Sequence, residues 1–277
     1  MAFFKPGNRK TDTKMLPVTK REPVRRQLSY AIANLQGIGT RTGQEDSFAV
    51  ANAFDVVRIR EEGLFFAVCD GMGGMKDGKL ASETAVRCLR QSFLEMDRGG
   101  DMAVQLKRSL FQASSQVEAL IGGNGGSTAV VGILYQGGLF YASVGDSYFY
   151  LMRDGILLRL NVGHNLCQER YLEAIRDGDM TPISPSDIPE GEALTAFLGM
   201  IGLEEADCSV RPLPLQERDV LLACSDGVGG VLGQEEILRA LQEESVEAMC
   251  ARLEAGIVAH ARPNQDNYTA VVVKCVL

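Results

Sequence analysis

The sequence predicts an α+β fold: two antiparallel sheets packed face to face, with helix pairs over their outer faces. Three observations lead there. Strand-like runs are joined by turns too short for a crossover, at Gln136-Gly137-Gly138 and Asp154-Gly155, so these strands must run antiparallel. Helical stripes come in two pairs between blocks of strands, which is not the steady alternation of a parallel sheet. The runs FFAVC (65–69) and VLLAC (220–224) look buried throughout and stand at the heart of the two blocks.

Residues 27–36 alternate, with Leu28, Tyr30 and Ile32 on one face, and read as the first strand. A loop over 37–43 leads into Glu45 and Asp46 and a second apolar stretch, 48–54. After the glycines at 71–74, residues 80–96 carry a helical stripe of Ala81, Ala85, Val86, Leu89, Phe93 and Met96. A second helix is predicted over 102–121, closed by the glycines at 122–126. Strands follow at 127–135, 139–144, 148–153 and 156–160. Residues 165–176 suit a helix, and 177–192 form a loop rich in Pro, Gly, Ser and Asp, of the kind that is often functional. Strands at 210–213 and 220–223, helices at 235–242 and 246–259, and a last strand at 267–276 complete the chain.

With 277 residues, 45% of them hydrophobic and 23% charged, the chain is long enough for one large core, and a single folded domain is expected. No apolar run approaches the ~20 residues of a membrane span, and no charged segment leads into a signal-like apolar stretch. The cytoplasm is the expected compartment. Seven cysteines, none in a CxxC pair, exclude a zinc or disulfide framework. The net charge of -8 is unevenly placed: residues 1–26 hold eight Lys and Arg against two acidic residues, leaving an acidic body. Such a body argues against nucleic acid as a partner. The leader 1–26 has no apolar stripe and is expected to be a flexible basic tail.

Chemistry collects at the ends of the apolar runs. Asp70 ends one and Asp226 the other, each followed by Gly-x-Gly-Gly, and further carboxylates (Glu45, Asp46, Asp146 and Asp266) stand beside glycines or strand ends. Clustered like charges are tolerable only when protons or cations neutralise them, so a metal site is the first hypothesis. On an extended backbone Glu45 and Asp46 point to opposite faces, so one meets the metal and the other stands behind.

With GTRTGQEDSF, VCDGMGG, GGSTAVV, ASVGDS, ACSDGVGG and QDNYTAVVV in this order, the chain resembles the metal-dependent protein phosphatases of the 2C family in their bacterial form. The resemblance runs from about Leu28 to Val276, and makes 27–277 the catalytic domain. It implies the family's αββα sandwich and a pair of Mn²⁺ or Mg²⁺ ions. Asp70 would bridge both ions, with Glu45 and the Gly71 carbonyl on one and Asp226 and Asp266 on the other; Asp46 would orient waters. Asp146 with Asp226 matches a third metal position, and Arg41 matches the arginine that holds the phosphoryl group, a task suited to a guanidinium. It also implies phosphoserine and phosphothreonine proteins as substrates and an opposing Hanks-type kinase; the sequence does not name the oligomeric state, and a monomer is expected.

Departures are visible. Met72 stands where eukaryotic relatives carry His, Tyr148 replaces an arginine, and the flap over 177–195 is diverged. Neither His164 nor His260 falls in a metal motif; His164, near the flap, is the candidate of the two for donating a proton, although a capping role is commoner for such a residue and a metal-bound water is the preferred acid. A pseudophosphatase that binds phosphoproteins without turnover, and a sporulation stage II E-type phosphatase acting on an anti-anti-sigma factor, are the alternative readings.

Overall fold

Leu64–Cys69 and Val220–Cys224 are buried at every position, which a strand achieves only in a sheet covered on both faces. A computed structural model of the chain describes residues 28–73, 77–181, 183 and 187–277; the leader expected over 1–26 lies outside the described residues. The chain runs β1 (Ser29–Gly37), β2 (Ser47–Ala51), α1 (Val56–Glu62), β3 (Leu64–Cys69), β4 (Gly71–Met72), α2 (Asp77–Glu95) and α3 (Met102–Ile121). Next come β5 (Gly126–Ser127), β6 (Ala129–Tyr135), β7 (Gly138–Val144), β8 (Tyr148–Arg153), β9 (Ile156–Arg159) and α4 (Leu166–Arg176). The last third holds β10 (Asp207–Cys208), β11 (Leu213–Pro214), β12 (Val220–Cys224), α5 (Asp226–Gly229), α6 (Gln234–Leu241), α7 (Val246–His260) and β13 (Tyr268–Val276).

Two antiparallel sheets result, one ordered β1-β13-β12-β8-β9 and the other β10-β7-β6-β3-β2, with β11 also on β7 and a small β4-β5 pair beside them. The side-chain period of two sorts the core into three layers. Along β3, Phe65 and Ala67 face α2 and α3, whereas Phe66 and Val68 face the other sheet. Along β13, Ala270 and Val272 face α6 and α7, whereas Val271 and Val273 face inward. Phe65 stacks on Phe93 of α2 with ring centroids 5.2 Å apart, and Phe66 meets Phe149 of β8 edge-on at 5.9 Å across the sheet interface. The expected αββα layering is therefore the one observed.

Three local expectations change. The stretch 48–54 stops as a strand at Ala51, because Asn52 turns at positive φ and Asp55 caps α1, its carboxylate accepting from the N–H groups of Val57 and Arg58 at 3.0 Å. The strand expected at 210–213 is replaced by β10 and β11; Val210 is 86% exposed, so its apolar character earned no place in a sheet. Gly126–Ser127 leaves β6 to pair with β4, which ties the glycine turn after Asp70 to the start of the next strand.

At the far end of the sandwich Asp219 is 1% exposed and grips Arg153 through two bonds, Nε to Oδ1 at 2.8 Å and Nη2 to Oδ2 at 2.6 Å. Asp219→Ala would leave that guanidinium uncompensated and is expected to cost about 3 kcal/mol, the lower end for a broken buried pair because Arg153 is partly exposed. Urea unfolding checks this; a loss under about 1 kcal/mol would place the pair's worth with ordinary surface bridges.

Candidate metal centre

Asp70 occupies the single residue between β3 and β4, and its backbone is fully committed. Its N–H donates to Thr128 Oγ1 at 3.1 Å, and its carbonyl accepts from Thr128 N at 2.8 Å and Ser127 Oγ at 3.0 Å. The side chain takes no part in these bonds. Gly71 must be glycine, since a Cβ there would lie 2.1 Å from the Gly78 carbonyl oxygen. Asp226 opens α5 immediately after β12, and there too the chain is pressed close: a Cβ on Gly227 would lie 1.8 Å from the Asn267 carbonyl oxygen.

Asn267 fastens the loop before β13 to the loop after β1. Its amide donates to the carbonyls of Ile38 at 2.9 Å and Gly43 at 3.0 Å, while its Oδ1 accepts from Glu45 N at 2.7 Å. Asp266 is thereby held beside Arg41, whose Nη2 donates to its Oδ2 at 2.5 Å. The consequence is one cavity of about 640 Å³ lined by Arg41, Glu45, Asp70, Gly71, Asp146, Asp226 and Asp266. Asp46 is not on its wall. It lies beneath, 1% exposed, with Oδ2 accepting from Ser225 Oγ at 2.8 Å, so the two neighbouring carboxylates do point to opposite sides.

The electrostatics show a cluster short of positive charge. Burial, and then the charges of Asp46, Asp226, Asp146 and Asp266, push the Asp70 carboxyl well above the ordinary range. Burial lifts Asp46 to about 6 against hydrogen bonds that favour its ionised form, and burial with the Asp226 charge lifts Asp146 to about 6. Burial, and then the Asp266 charge, raises Asp226. The carboxylates of Asp46 and Asp226 come within hydrogen-bonding reach of Asp70, and Oδ1 of both Asp46 and Asp226 is buried without a partner. Among the described residues no three acidic, thiol or imidazole side chains already form a closed ligand cage. The donors instead surround an open cavity. They are all oxygen, which suits hard cations such as Mg²⁺ and Mn²⁺, and a buried oxygen without a donor is what such a cation would satisfy.

Neither histidine belongs to this wall. His164 is bound to Gly145, its N–H donating to that carbonyl at 2.9 Å and its Nδ1 lying 3.2 Å from the same oxygen. His260 sits on α7 with Nε2 at 3.1 Å from Glu236 Oε1. Tyr148 does line the cavity, its ring carrying the Arg159 guanidinium 4.3 Å above it. Arg262 on the wall escaped the sequence reading, and Glu192 was covered only as the end of the loop over 177–192. No local pattern singles out either charge, since the fold alone brings them to the cavity.

A family model for protein phosphatase 2C matches residues 32–176, and that span includes Arg41, Glu45, Asp70 and Asp146. The chain belongs to the protein phosphatase 2C family. It is 30% identical over 216 residues to a serine/threonine phosphatase, stp, of Listeria monocytogenes, covering 75% of this chain and 82% of that protein. Among solved structures it is similar to the serine/threonine phosphatase PstP/Ppp of Mycobacterium tuberculosis, with 26% identity, a TM-score of 0.72, and coverage of 91% of this chain and 100% of that one. It also matches the catalytic domain of PstP in complex with two manganese ions, at 26% identity and a TM-score of 0.68 over 91% of this chain and 99% of the other. The 2C-family sandwich is thus shared with a catalytic domain solved in complex with two manganese ions.

Proposed function

We propose that this chain is a metal-dependent protein phosphatase that hydrolyses phosphoserine and phosphothreonine in proteins at the carboxylate cavity. The observation that carries this reading is the convergence of six acidic residues from separate stretches of chain, Asp46 below and the others on the wall, with oxygens left unpartnered where they meet. Asp70 would bridge two Mn²⁺ or Mg²⁺ ions, flanked by Glu45 and the Gly71 carbonyl on one and by Asp226 and Asp266 on the other. Asp146 with Asp226 would offer a third position. When bound, such a pair acidifies water and neutralises the charge that develops on a phosphoryl group in flight. Asp46, anchored by Ser225, would orient water at the floor. Arg41 would hold two phosphoryl oxygens, exchanging Asp266 for the substrate.

Phosphomonoesters are among the slowest esters to hydrolyse unaided, so this apparatus has a demanding task to match. No helix among the described residues is long and apolar enough to cross a membrane. Phosphoproteins of the cytoplasm are the targets in this reading, with a Hanks-type kinase as the opposing enzyme. A monomer is the working state in this reading. Purified protein is expected to hydrolyse 4-nitrophenyl phosphate with Mn²⁺ and to lose that activity as Asp226→Asn; undiminished rates in excess EDTA would contradict it.

A further inference from the structure

Two charged side chains at the mouth of the cavity have no partner. Arg262 and Glu192 both line it and are both exposed, and among the described residues neither makes a hydrogen bond or an ion pair. Arg41, the other cation on this wall, is committed to Asp266. The two unpaired charges come from segments anchored to different parts of the wall. The segment of Glu192 is tied to the turn that carries Asp146, with Thr195 N donating to the His164 carbonyl at 3.0 Å and His164 N to the Gly145 carbonyl at 2.9 Å, whereas Arg262 leads through Asn264 and Gln265 into Asp266.

Each is carried by firmly held backbone. Ala261 ends α7 in the left-handed region, at φ 47°, and Pro263 restricts Arg262 to extended geometry. Two residues on, the Gln265 carbonyl accepts from Thr40 N at 2.9 Å and its amide donates to the Gly227 carbonyl at 3.1 Å. Glu192 is flanked by anchors to the start of α4, with Cys167 N donating to the Gly191 carbonyl at 2.9 Å and Leu166 N to the Ala193 carbonyl at 3.0 Å. Placed charges that satisfy nothing among the described residues contribute little to stability in water. They are positioned instead to meet charge on whatever enters.

We propose that Arg262 and Glu192 set the charge polarity of the phosphoprotein segment that the site accepts, with an acidic residue on the Arg262 side of the phosphorylated residue and a basic one on the Glu192 side. This rests on the phosphatase reading and adds a rule of substrate choice to it. A segment in the wrong direction would set like charges against each other at both walls, which is the repulsive half of specificity.

The test uses two phosphothreonine peptides of identical composition, one with Glu before and Lys after the phosphothreonine, the other reversed. Wild-type protein with Mn²⁺ is expected to favour one order by about tenfold in kcat/KM at low salt, as two rim pairs gained against two lost would give, and the ratio should shrink toward one as salt rises. Arg262→Glu with Glu192→Lys is expected to invert the ratio. Because both peptides are measured on the same variant, any change in overall rate cancels. A wild-type ratio within twofold of one, or a ratio unmoved by the double reversal, would overturn the proposal and leave the phosphatase reading standing. Absence of phosphate release from either peptide and from 4-nitrophenyl phosphate would overturn the phosphatase reading, and this rule with it.

Discussion

Asp70→Asn is expected to lower phosphate-ester hydrolysis by about a thousandfold or more, the several kcal/mol that a metal pair supplies to such a reaction. The effect follows from position. Asp70 is the residue that both Asp46 and Asp226 approach within hydrogen-bonding reach, and its charge is raised in energy by four neighbouring carboxylates. An amide keeps the shape and the backbone bonds to Thr128 and Ser127 while removing the side-chain charge. Circular dichroism should therefore show an intact fold with the rate gone. A variant retaining a tenth of the wild-type rate with Mn²⁺ would remove Asp70 from the centre of the mechanism.

The same cluster predicts an unusual dependence of stability on pH in chelator. A carboxyl whose pKa is raised by folding binds its proton more tightly in the native state, so the stability it contributes is present below its unfolded pKa, near 4, and is lost as pH climbs through the folded value. For Asp46, lifted to about 6, this loss amounts to about 3 kcal/mol; Asp146, also lifted to about 6, adds a further loss in the same direction. Metal-free protein should thus become less stable between pH 4 and 6.5, whereas proteins stabilised by paired carboxylates gain stability over that range. Divalent ions should flatten the decline, and Asp70→Asn should melt higher than wild type in EDTA at pH 7.5 because one buried negative charge is gone. Thermal melts across this window check both signs. Stability that rose with pH in EDTA would mean the carboxylates are already well paired within the protein.

How far the sequence discloses all this depends on where the signal resides. The helix over Met102–Ile121 was legible to the residue because the glycines at 122–126 close it, and the structure adds Asp101 as its cap. Helix α1 was not, since it buries no residue and so has no stripe to show. Asp70 and Asp226 were legible as strand ends because an apolar run that stops at Asp-Gly marks itself locally. That Glu45 would reach the cavity while Asp46 turned beneath it could be narrowed to one of two by alternation alone; the choice is made by Ser225, 179 residues away in the chain. The Arg41–Asp266 pair spans 225 residues and leaves no local trace either. Contacts of that kind are properties of the folded chain, and Arg262 and Glu192 at the mouth belong to the same class.

Mn²⁺ binding to metal-stripped protein, counted by equilibrium dialysis, tests the centre most directly. Two ions held per chain by wild type, with the paired binding lost in Asp70→Asn, is the predicted result. Failure of the wild-type protein to retain Mn²⁺, or the same count in Asp70→Asn as in wild type, would contradict it.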